Sequence, residues 1–456
     1  MRSAPLAPQL LDALDVVASP DFRRWERAVR RCGHCSRPVR LRGHVISGNR
    51  VVYSTADEPG RVLLKACGNR RAAVCPSCSY VYAGDTWQLL YAGIAGGRKG
   101  VPATVAHHPM AFVTLTAPSF GIVHRGSDAP CRPRRSHPRC PHGMAMWCTK
   151  RHHDDSAVGT PFCDECYDYV GAVLFNWRAP ELWRRFVIAL PRELARRCGM
   201  TSAEFQRRVR VSFAKVAEFQ RRGVVHVHAI VRLDDRADVA LMPAPVGQEE
   251  LELAVRDAAA RVHVEVDGGG RTVDLSWGDQ IDVRTIAHGE VEGNERPSSV
   301  AAYIAKYATK ASEDFGIGGR PLSSAAARHA GASDHTVRTI ATIERLATSS
   351  AECTGILRWS HMLGFRGHFS TRSRRYSVTL GELRRARVEF QRRASGAEVD
   401  EPSNLVVAHW RFTGIGYRSA GEAFLAAAAE GRAREWRALA REAEMFAARS
   451  TNDERS

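Results

Sequence analysis

The clearest pattern of apolar and polar positions lies in two neighbouring segments, residues 209–220 and 224–232. In the first, VRVSFAKVAEFQ, the odd positions are apolar except for Lys215. In the second, VVHVHAIVR, valines and an alanine alternate with His226 and His228. A period of two is that of a β-strand with one buried face. The two segments therefore predict a β-hairpin whose apolar faces lie together.

The register of this hairpin follows from the same pattern. A two-residue turn would pair Glu218 with Val225 and so set a polar face against an apolar one. A three-residue loop avoids that mismatch and places Gly223 where such loops need a left-handed residue. It also sets Glu218 directly opposite His226. We therefore expect Glu218, His226 and His228 on one face.

Other stretches of the chain carry weaker signals of the same kind. The segment AFVTLTAP at residues 111–118 alternates and predicts a central strand, and residues 262–286 predict a pair of strands. Together with the predicted helices, these strands indicate an α+β fold. The predicted helices lie at residues 1–31, 79–100, 167–198, 251–261 and 299–311, with further helices after a Gly/Ser/Ala-rich stretch at 312–333.

Cysteine pairs near the N-terminus indicate a metal site. Cys32 and Cys35 form one CxxC pair and Cys75 and Cys78 form another, with β-rich segments between them. Two such pairs at this separation predict a four-cysteine zinc ribbon. Cys67 lies nearby and is an alternative ligand.

A second group of thiols predicts another zinc site. We expect its ligands to be Cys163 and Cys166, completed by Cys140 and Cys148. His142 and His152 are rival ligands, and Cys131 has no assigned part.

The amino-acid composition indicates a binding partner. The 456-residue chain has a net charge of +17, and only six of its 66 basic residues are lysines. Arginine binds phosphates bidentately and stacks on bases, so this balance favours nucleic acid. The codon bias of a GC-rich genome would also replace lysine by arginine. The sequence contains no apolar run long enough for a membrane span and no signal peptide, which predicts a cytoplasmic protein.

The predicted hairpin face has the chemistry of a metal centre. Neutral imidazole is a common metal ligand, and His226 and His228 point the same way because they are two residues apart. With Glu218 across the hairpin, two nitrogens and a carboxylate suit Mg²⁺ or Mn²⁺, although the histidines could also take zinc.

The predicted helix at 299–311, SVAAYIAKYATKA, carries a row of tyrosines and lysines that could take part in catalysis. Tyr303, Lys306, Tyr307 and Lys310 are spaced to share one face. A plain core stripe edged by lysines would have the same spacing. The alanines and Ile304 already form an apolar face, so the stripe is left for a polar task. A phenol has a pKa near 10 and attacks a phosphodiester only with help, which a metal and lysines provide. Such attack would leave a 5′-phosphotyrosine and a free 3′-hydroxyl that can serve as a primer.

These segments resemble a known family. His226-Val-His228 within EFQRRGVVHVHAI, followed by YIAKYATK from Tyr303 to Lys310, resembles the second and third motifs of HUH endonucleases, and FVTLTAP resembles the first. The segments CGHCSRPVRL, CPSC, TLTAPSFG, CPHG, CYDY, FNW and GFRGHFSTRSRRYS are similar to a narrower group, the replication initiators of actinobacterial plasmids and integrative elements. The likeness extends from about residue 32 to about residue 387.

The resemblance implies an HUH nuclease domain with a central antiparallel sheet and flanking helices. It implies a rolling-circle initiator that nicks single-stranded origin DNA and rejoins it at termination. In this reading His226 and His228 bind the metal, Glu218 is the third ligand, and Tyr307 is the primary nucleophile. Tyr303 is a second nucleophile or a helper, and Lys310 is the motif's lysine, with Lys306 beside it.

The resulting domain prediction has three parts. It comprises a zinc-ribbon region at 1–105, an HUH domain at 106–311 with the second zinc site inserted at about 131–168, and a mainly helical, basic region at 312–456. The last region could bind duplex DNA, hold a host helicase or form a dimer.

Two other functions compete with this one. A relaxase or transposase would share the chemistry and differ in the DNA element around the gene. A non-catalytic, zinc-containing DNA-binding regulator would leave Glu218, His226, His228 and the tyrosine stripe without a task.

Overall fold

The computed structural model describes residues 7–132, 139–153, 156–243, 246–286, 296–308, 315–394 and 406–453. It is an α+β protein with antiparallel sheets, as the sequence predicts. The chain divides into two compact units. The central unit comprises Thr86–Glu382, and the terminal unit combines Met1–Asp85 with Leu383–Ser456.

The central unit is built on a five-stranded antiparallel sheet of order β10-β5-β6-β4-β9. Its strands are β4 (Met110–Leu115), β5 (Val209–Phe219), β6 (Val225–Asp235), β9 (Ile281–Thr285) and β10 (Ser370–Arg372). The predicted strand at 111–118 is confirmed as β4, which lies between β6 and β9. A separate two-stranded ribbon joins β7 (His263–Asp267) to β8 (Thr272–Ser276).

Long helices cover one face of this sheet. The helices α4 (Tyr169–Arg197) and α6 (Gln248–Ala260) bury their apolar residues against the odd positions of β6 and β4. The α4 helix begins where the Asp168 carboxylate accepts a hydrogen bond from the Gly171 amide at 3.0 Å. Val227 and Ala229 lie in the resulting core and are at most 2% exposed. The period-two pattern therefore places the apolar half of the hairpin in the core.

The opposite face of β6 is polar along most of its length. It carries His226 and His228, and further along it buries Arg232 and Asp234 completely. The Arg232 guanidinium bonds both carboxylate oxygens of Asp234, at 2.6 and 3.0 Å. Ser212 also donates to Asp234 at 2.6 Å. Removing one partner of a buried ion pair that also has further hydrogen bonds strongly destabilises a fold. The Arg232–Asp234 pair therefore stabilises the hairpin at the end far from its loop.

Residues beyond 312 contribute directly to the central unit. The helices α8 (Ser324–His329) and α9 (Asp334–Ser349) belong to it, and α9 packs against α4. The strand β10 pairs with β5. The predicted division at 312 differs from this packing, because a three-residue strand at the sheet edge gave no detectable alternation in the sequence.

The terminal unit joins the two ends of the chain. The strand β1 (Val39–Ser47) pairs with β2 (Arg50–Ser54), with β3 (Leu63–Lys65) and with β11 (Val406–Ile415). Five helices complete or enter this unit: α1 (Pro8–Ala18), α2 (Phe22–Arg31), α3 (Pro76–Ala95), α10 (Leu380–Ala394) and α11 (Ala420–Asp453). Both α3 and α10 begin in one unit and end in the other.

The region predicted as mainly helical thus contains a long strand, β11, that the sequence prediction did not include. Its partner lies more than 350 residues earlier in the chain, where Val39 pairs with Ile415. The predicted single helix at 1–31 is divided into α1 and α2. Among the described residues, no helix is long and apolar enough to cross a membrane.

Candidate metal centre and tyrosine helix

The β5–β6 hairpin has the predicted register. Glu218 pairs with His226, and Phe219 pairs with Val225. The loop between them contains Gly223 with φ +76°, the left-handed conformation that a three-residue loop requires. Regular pairing on both sides of this loop fixes where each polar side chain points.

The three predicted metal ligands meet on the polar face of the hairpin. One carboxylate oxygen of Glu218, Oε2, lies 3.1 Å from His226 Nε2 and 3.4 Å from His228 Nε2. The three ligand atoms lie within 4.8 Å of one another. The imidazole side chains are at most 15% exposed and the Glu218 side chain is 14% exposed. One carboxylate and two imidazoles therefore converge at a sheltered but open point.

Thr114 on β4 orients His228. Its hydroxyl lies 2.9 Å from His228 Nδ1, because Thr114 and His228 are directly paired across β4 and β6. With Nδ1 occupied in this way, Nε2 is the atom that faces Glu218. A hydrogen bond to the second ring nitrogen commonly fixes the orientation of a metal-binding histidine. Thr114 was not among the predicted site residues, although it is the one hydroxyl within the otherwise apolar strand β4.

The ionisation of the cluster suits a cation. Burial by itself raises the pKa of Glu218, but hydrogen bonds from His226 and His228 outweigh it, and the pKa lies below its ordinary value. Burial lowers the pKa of His228, which keeps this imidazole neutral at pH 7. An ionised carboxylate and a neutral imidazole are the forms that bind metals.

His226 differs from His228 at its second ring nitrogen, whereas the donor atoms that face the centre are what fit a cation. Its Nδ1 atom is buried and has no hydrogen-bond partner within the described part of the chain. Buried polar atoms are usually satisfied, so such an atom asks for an explanation. An ordered water would satisfy this nitrogen, whereas a metal at the centre would not, because His226 faces Glu218 through Nε2, its other ring nitrogen. The donor set, one oxygen and two nitrogens, fits Mg²⁺ or Mn²⁺ and also accommodates zinc.

The tyrosine helix lies over this cluster. The helix α7 (Pro297–Tyr307) starts at a proline, which is favourable in the first turn. It buries Val300, Ala301, Ile304 and Ala305. The predicted apolar face is therefore present, except that Ala302 is exposed.

Both tyrosines of α7 contact the metal-ligand cluster. The Tyr303 hydroxyl lies 3.4 Å from His228 Nε2, and the Tyr307 ring stacks on His228 with centroids 5.9 Å apart. Tyr303 and Tyr307 are themselves in edge contact at 4.7 Å. Phe112 packs against both His228 and Tyr303 and so closes one side of the site.

The environment keeps Tyr303 protonated. Burial, followed by a hydrogen bond to Tyr307, raises the pKa of Tyr303 well above its usual range. Tyr303 is therefore a hydrogen-bond donor rather than a phenolate at neutral pH.

The two lysines of the stripe have different positions relative to the described structure. Lys306 is exposed, and its ammonium lies 5.5 Å from the centroid of the Tyr307 ring. A cation at this distance interacts favourably with the ring face. Lys310 lies outside the described residues.

A groove opens at the end of β4 beside this site. It is lined by residues that follow Thr114 in the chain, by the turn of the β5–β6 hairpin and by the loop between β8 and β9. Arg125 and Arg132 line it as well. Arg222 is held in place because it donates to the carbonyls of Ala117 and Pro118, at 3.0 and 2.9 Å. The groove therefore presents arginines next to the candidate centre.

The cysteine group of the terminal unit differs from the predicted one in one ligand. The four thiols whose sulfurs lie within 4.8 Å of one another are Cys35, Cys67, Cys75 and Cys78. Cys67 takes the place predicted for Cys32, whose thiol instead points to the Val29 carbonyl at 3.2 Å. Cys32 ends the α2 helix and packs beside the other thiols, but its sulfur is not one of the four that converge.

Two features of this group favour a metal. The Cys67 amide donates to Cys35 Sγ at 3.3 Å, a bond that stabilises a thiolate. Hydrogen bonding from Cys35 and other thiols lowers the pKa of Cys78 to about 5. The four sulfurs fit a tetrahedral Zn²⁺ site.

The cysteines of the inserted segment also group differently from the prediction. Cys163 and Cys166 lie together with Cys140, as expected, but the fourth member is His142. Its Nδ1 lies 3.2 Å from Cys166 Sγ and 3.7 Å from Cys163 Sγ. Cys148 is instead 3.3 Å from His152. The prediction could not separate these alternatives, because the segment folds as loops in which spacing does not fix direction.

Comparison with known proteins gives two matches. Residues 21–431 match the family described as RepSA, replication initiator protein of pSAM2. A curated replication initiator protein from Streptomyces ambofaciens is 42% identical over 437 residues, covering 91% of each chain. No solved structure matches the chain.

Proposed function

Because the chain belongs to the RepSA family of replication initiator proteins, we propose that it starts rolling-circle replication by nicking one DNA strand at a plasmid-type origin. The nick would be made by a tyrosine of α7 at an HUH-type centre of Glu218, His226 and His228. The observation that carries this proposal is the position of both tyrosines over the cluster, with the Tyr303 hydroxyl 3.4 Å from His228.

The proposed reaction is a transesterification. The Tyr307 oxygen attacks the scissile phosphorus, a bond forms between them, and the bond from phosphorus to the 3′-oxygen breaks. The phenolic proton leaves the tyrosine and a proton is taken up by the departing 3′-oxygen, so the products are a 5′-phosphotyrosine and a 3′-hydroxyl. A Mg²⁺ or Mn²⁺ ion held by Glu218, His226 and His228 would polarise the phosphate.

The environment of the two phenols supports Tyr307 as the first nucleophile. Tyr303 is held in its protonated form by burial and by its bond to Tyr307. A neutral Tyr303 can donate a hydrogen bond to the oxygen of its neighbour and stabilise charge there. Lys306 adds a positive charge near the Tyr307 ring. Tyr303 would then be the helper, or the second nucleophile when the strands are rejoined.

The groove beside the site supports single-stranded DNA as the substrate. Its arginines, Arg125 and Arg132, can contact phosphates, which would position the strand without reading its sequence. The cluster of Cys35, Cys67, Cys75 and Cys78, and that of Cys140, His142, Cys163 and Cys166, would each hold a structural Zn²⁺. Neither the relaxase nor the transposase alternative has a counterpart in the two family matches, which both describe replication initiators.

The experiment uses the full chain and overlapping single-stranded oligonucleotides that cover the DNA flanking its gene. Each oligonucleotide carries a fluorophore at its 3′ end and is incubated with Mn²⁺ or with EDTA. We expect one of them to give a denaturant-resistant, labelled protein band in Mn²⁺ alone. We also expect the released 5′ fragment to be extended by a DNA polymerase, because it ends in a 3′-hydroxyl.

Two variants assign the nucleophile. Tyr307→Phe should abolish the labelled band, and Tyr303→Phe should reduce its rate of formation. The opposite result would transfer the role of first nucleophile to Tyr303. Absence of the band with every oligonucleotide in Mn²⁺ would overturn the nickase proposal.

A further inference from the structure

The segment between β4 and α4 has few of the features that normally hold a fold together. Its described parts contain isolated β-bridges rather than regular strands or α-helices. Several of its most buried side chains are thiols and an imidazole, since Cys131 is 6%, His152 is 3% and Cys163 is 5% exposed. Small segments without an apolar core are commonly stabilised by metals. The Cys140 cluster accounts for only one part of this segment.

Four other side chains of the segment converge at a second point. The ligand atoms of His124, Cys131, Cys148 and His152 lie within 4.8 Å of one another. Cys148 Sγ is 3.3 Å from His152 Nε2, and Cys131 Sγ is 3.8 Å from His124 Nδ1. Two thiols and two imidazoles at these separations have the composition of a Cys₂His₂ site.

The backbone around this point is held by hydrogen bonds that link the four positions. Arg132 and Cys148 exchange a pair of backbone hydrogen bonds, each of 2.8 Å. The Ser127 amide donates to the carbonyl of His152 at 2.8 Å. These bonds hold the two halves of the segment in register, so that one half presents His124 and Cys131 and the other presents Cys148 and His152.

The side chains are also individually oriented. The His124 ring stacks on Phe162, with centroids 4.1 Å apart and planes 13° apart. The Arg125 amide donates to Cys131 Sγ at 3.2 Å. Amide bonds to sulfur and fixed rings are the outer-shell support that metal ligands usually have.

We propose that His124, Cys131, Cys148 and His152 bind a structural Zn²⁺ ion, separate from the one assigned to the Cys140 cluster. Zinc is the metal that this ligand set favours, because thiolates and imidazoles in a four-coordinate, closed arrangement are typical of structural zinc sites. The inserted segment would then be a two-zinc module. Packing alone gives no reason to gather two thiols and two imidazoles at one partly buried point.

The site has a consequence for the groove at the end of β4. Arg125 follows the ligand His124 directly, and Arg132 follows the ligand Cys131. Both arginines line the groove. Zinc bound here would therefore fix the backbone that carries two of its positive charges.

The first test is the zinc content of the purified full chain, measured by elemental analysis and by native mass spectrometry. Cys131→Ser and Cys148→Ser should each contain one zinc per chain fewer than the wild type. Cys198→Ser is the matched control, because Cys198 is a half-buried thiol outside the clusters, and it should keep the full content. Unchanged zinc content in both test variants would overturn the proposal.

The second test needs no variant and remains decisive if a substitution prevents folding. The wild-type chain is treated with N-ethylmaleimide before and after mild chelation, and the modified cysteines are mapped by mass spectrometry. Cys131 and Cys148 should be protected before chelation and modified after it. Buried Cys353 should stay protected throughout, which excludes global unfolding. Modification of Cys131 and Cys148 before chelation, or their continued protection after it, would count against a metal there.

Discussion

The candidate metal centre and the cysteine clusters gather ligands in opposite ways. Glu218, His226 and His228 stand on paired strands, and the ladder of the sheet fixes the position of each of the three residues. The clusters around Cys140 and Cys148 stand on loops joined by isolated bridges. In the first case the fold positions the ligands before any metal arrives. In the second, the proposed metals would themselves hold the loops.

This difference separates two kinds of dependence on metal. Removal of the metal from the site on paired strands, the strand-built site, should abolish DNA cleavage and leave the fold intact. The hydrophobic core lies on the other face of the sheet and does not involve the metal ligands. Removal of the metal from a site whose ligands stand on loops, a loop-built site, should lower the stability of the fold, since metal binding and folding are coupled there. The following predictions test this contrast from the largest expected effect to the smallest.

Replacement of a strand-built ligand should have the largest effect on activity. We expect His228→Ala to slow formation of the covalent adduct by about 1,000-fold or more, because electrostatic help to the phosphate is lost. The melting temperature should change little. Ile230→Val, two residues along the same strand face, is the control and should keep near wild-type rates. Wild-type rates in His228→Ala would remove this residue from the centre.

Replacement of a loop-built ligand should lower stability and metal content together. Cys67→Ser should weaken zinc binding by more than the roughly 10- to 100-fold that loss of an outer-shell partner causes. Cys32→Ser should leave zinc content unchanged, because the Cys32 thiol points to the Val29 carbonyl. Zinc titration with a competing chelator and urea unfolding measure both effects. If Cys32→Ser lowered the zinc content and Cys67→Ser did not, the ligand set predicted from the CxxC spacing would be correct.

The hydrogen bond from Thr114 to His228 should have an intermediate effect. Thr114→Val keeps the shape of the side chain and removes the hydroxyl, and it should weaken Mn²⁺ binding by about 10- to 100-fold. Thr114→Ser retains the hydroxyl and should recover most of the affinity. Calorimetric titration of the full chain gives both values. Equal affinities for the valine variant and the wild type would show that Thr114 does not orient the ring.

The smallest effect concerns a buried charge on the core side of the hairpin. Lys215 donates to the His368 carbonyl at 3.0 Å, and burial lowers its pKa from 10.5 to about 8. Between these values the unfolded chain holds a proton that the folded chain has released, so stability rises with pH. From pH 7.5 to 9.5 the free energy of unfolding should rise by about 1–2 kcal/mol more in the wild type than in Lys215→Met. Urea unfolding at both pH values measures this difference, and parallel pH profiles would contradict it.

The sequence predicts the strand-built site well because two constraints act on it at once. Alternation assigns a face to every residue, and the loop length assigns a partner, so the pairing of Glu218 with His226 follows without any distance information. The helix α7 was predictable from a period as well, since its buried and exposed positions follow the helical repeat.

Neither constraint acts on the loops or on strands with distant partners. The sequence contains Cys67, His142 and Cys131 but no regular period that tells where their side chains point. The strand β11 alternates in part, yet its partner β1 lies at the other end of the chain. The role of Thr114 was not predictable from the sequence, because threonine is common in strands. Its hydroxyl is important only because His228 lies opposite it on the neighbouring strand.

The pairing of β1 with β11 also determines the order in which the protein can mature during synthesis. Domains generally fold as units, starting from the N-terminus, while the ribosome is still elongating the chain. Here the pairing of β1 with β11 must wait for residues 406–415, so the central unit can form before the terminal unit is complete. A polypeptide released early would thus contain the nuclease candidate without a finished terminal unit. Synthesis of residues 406–415 is therefore a requirement for a fully assembled molecule.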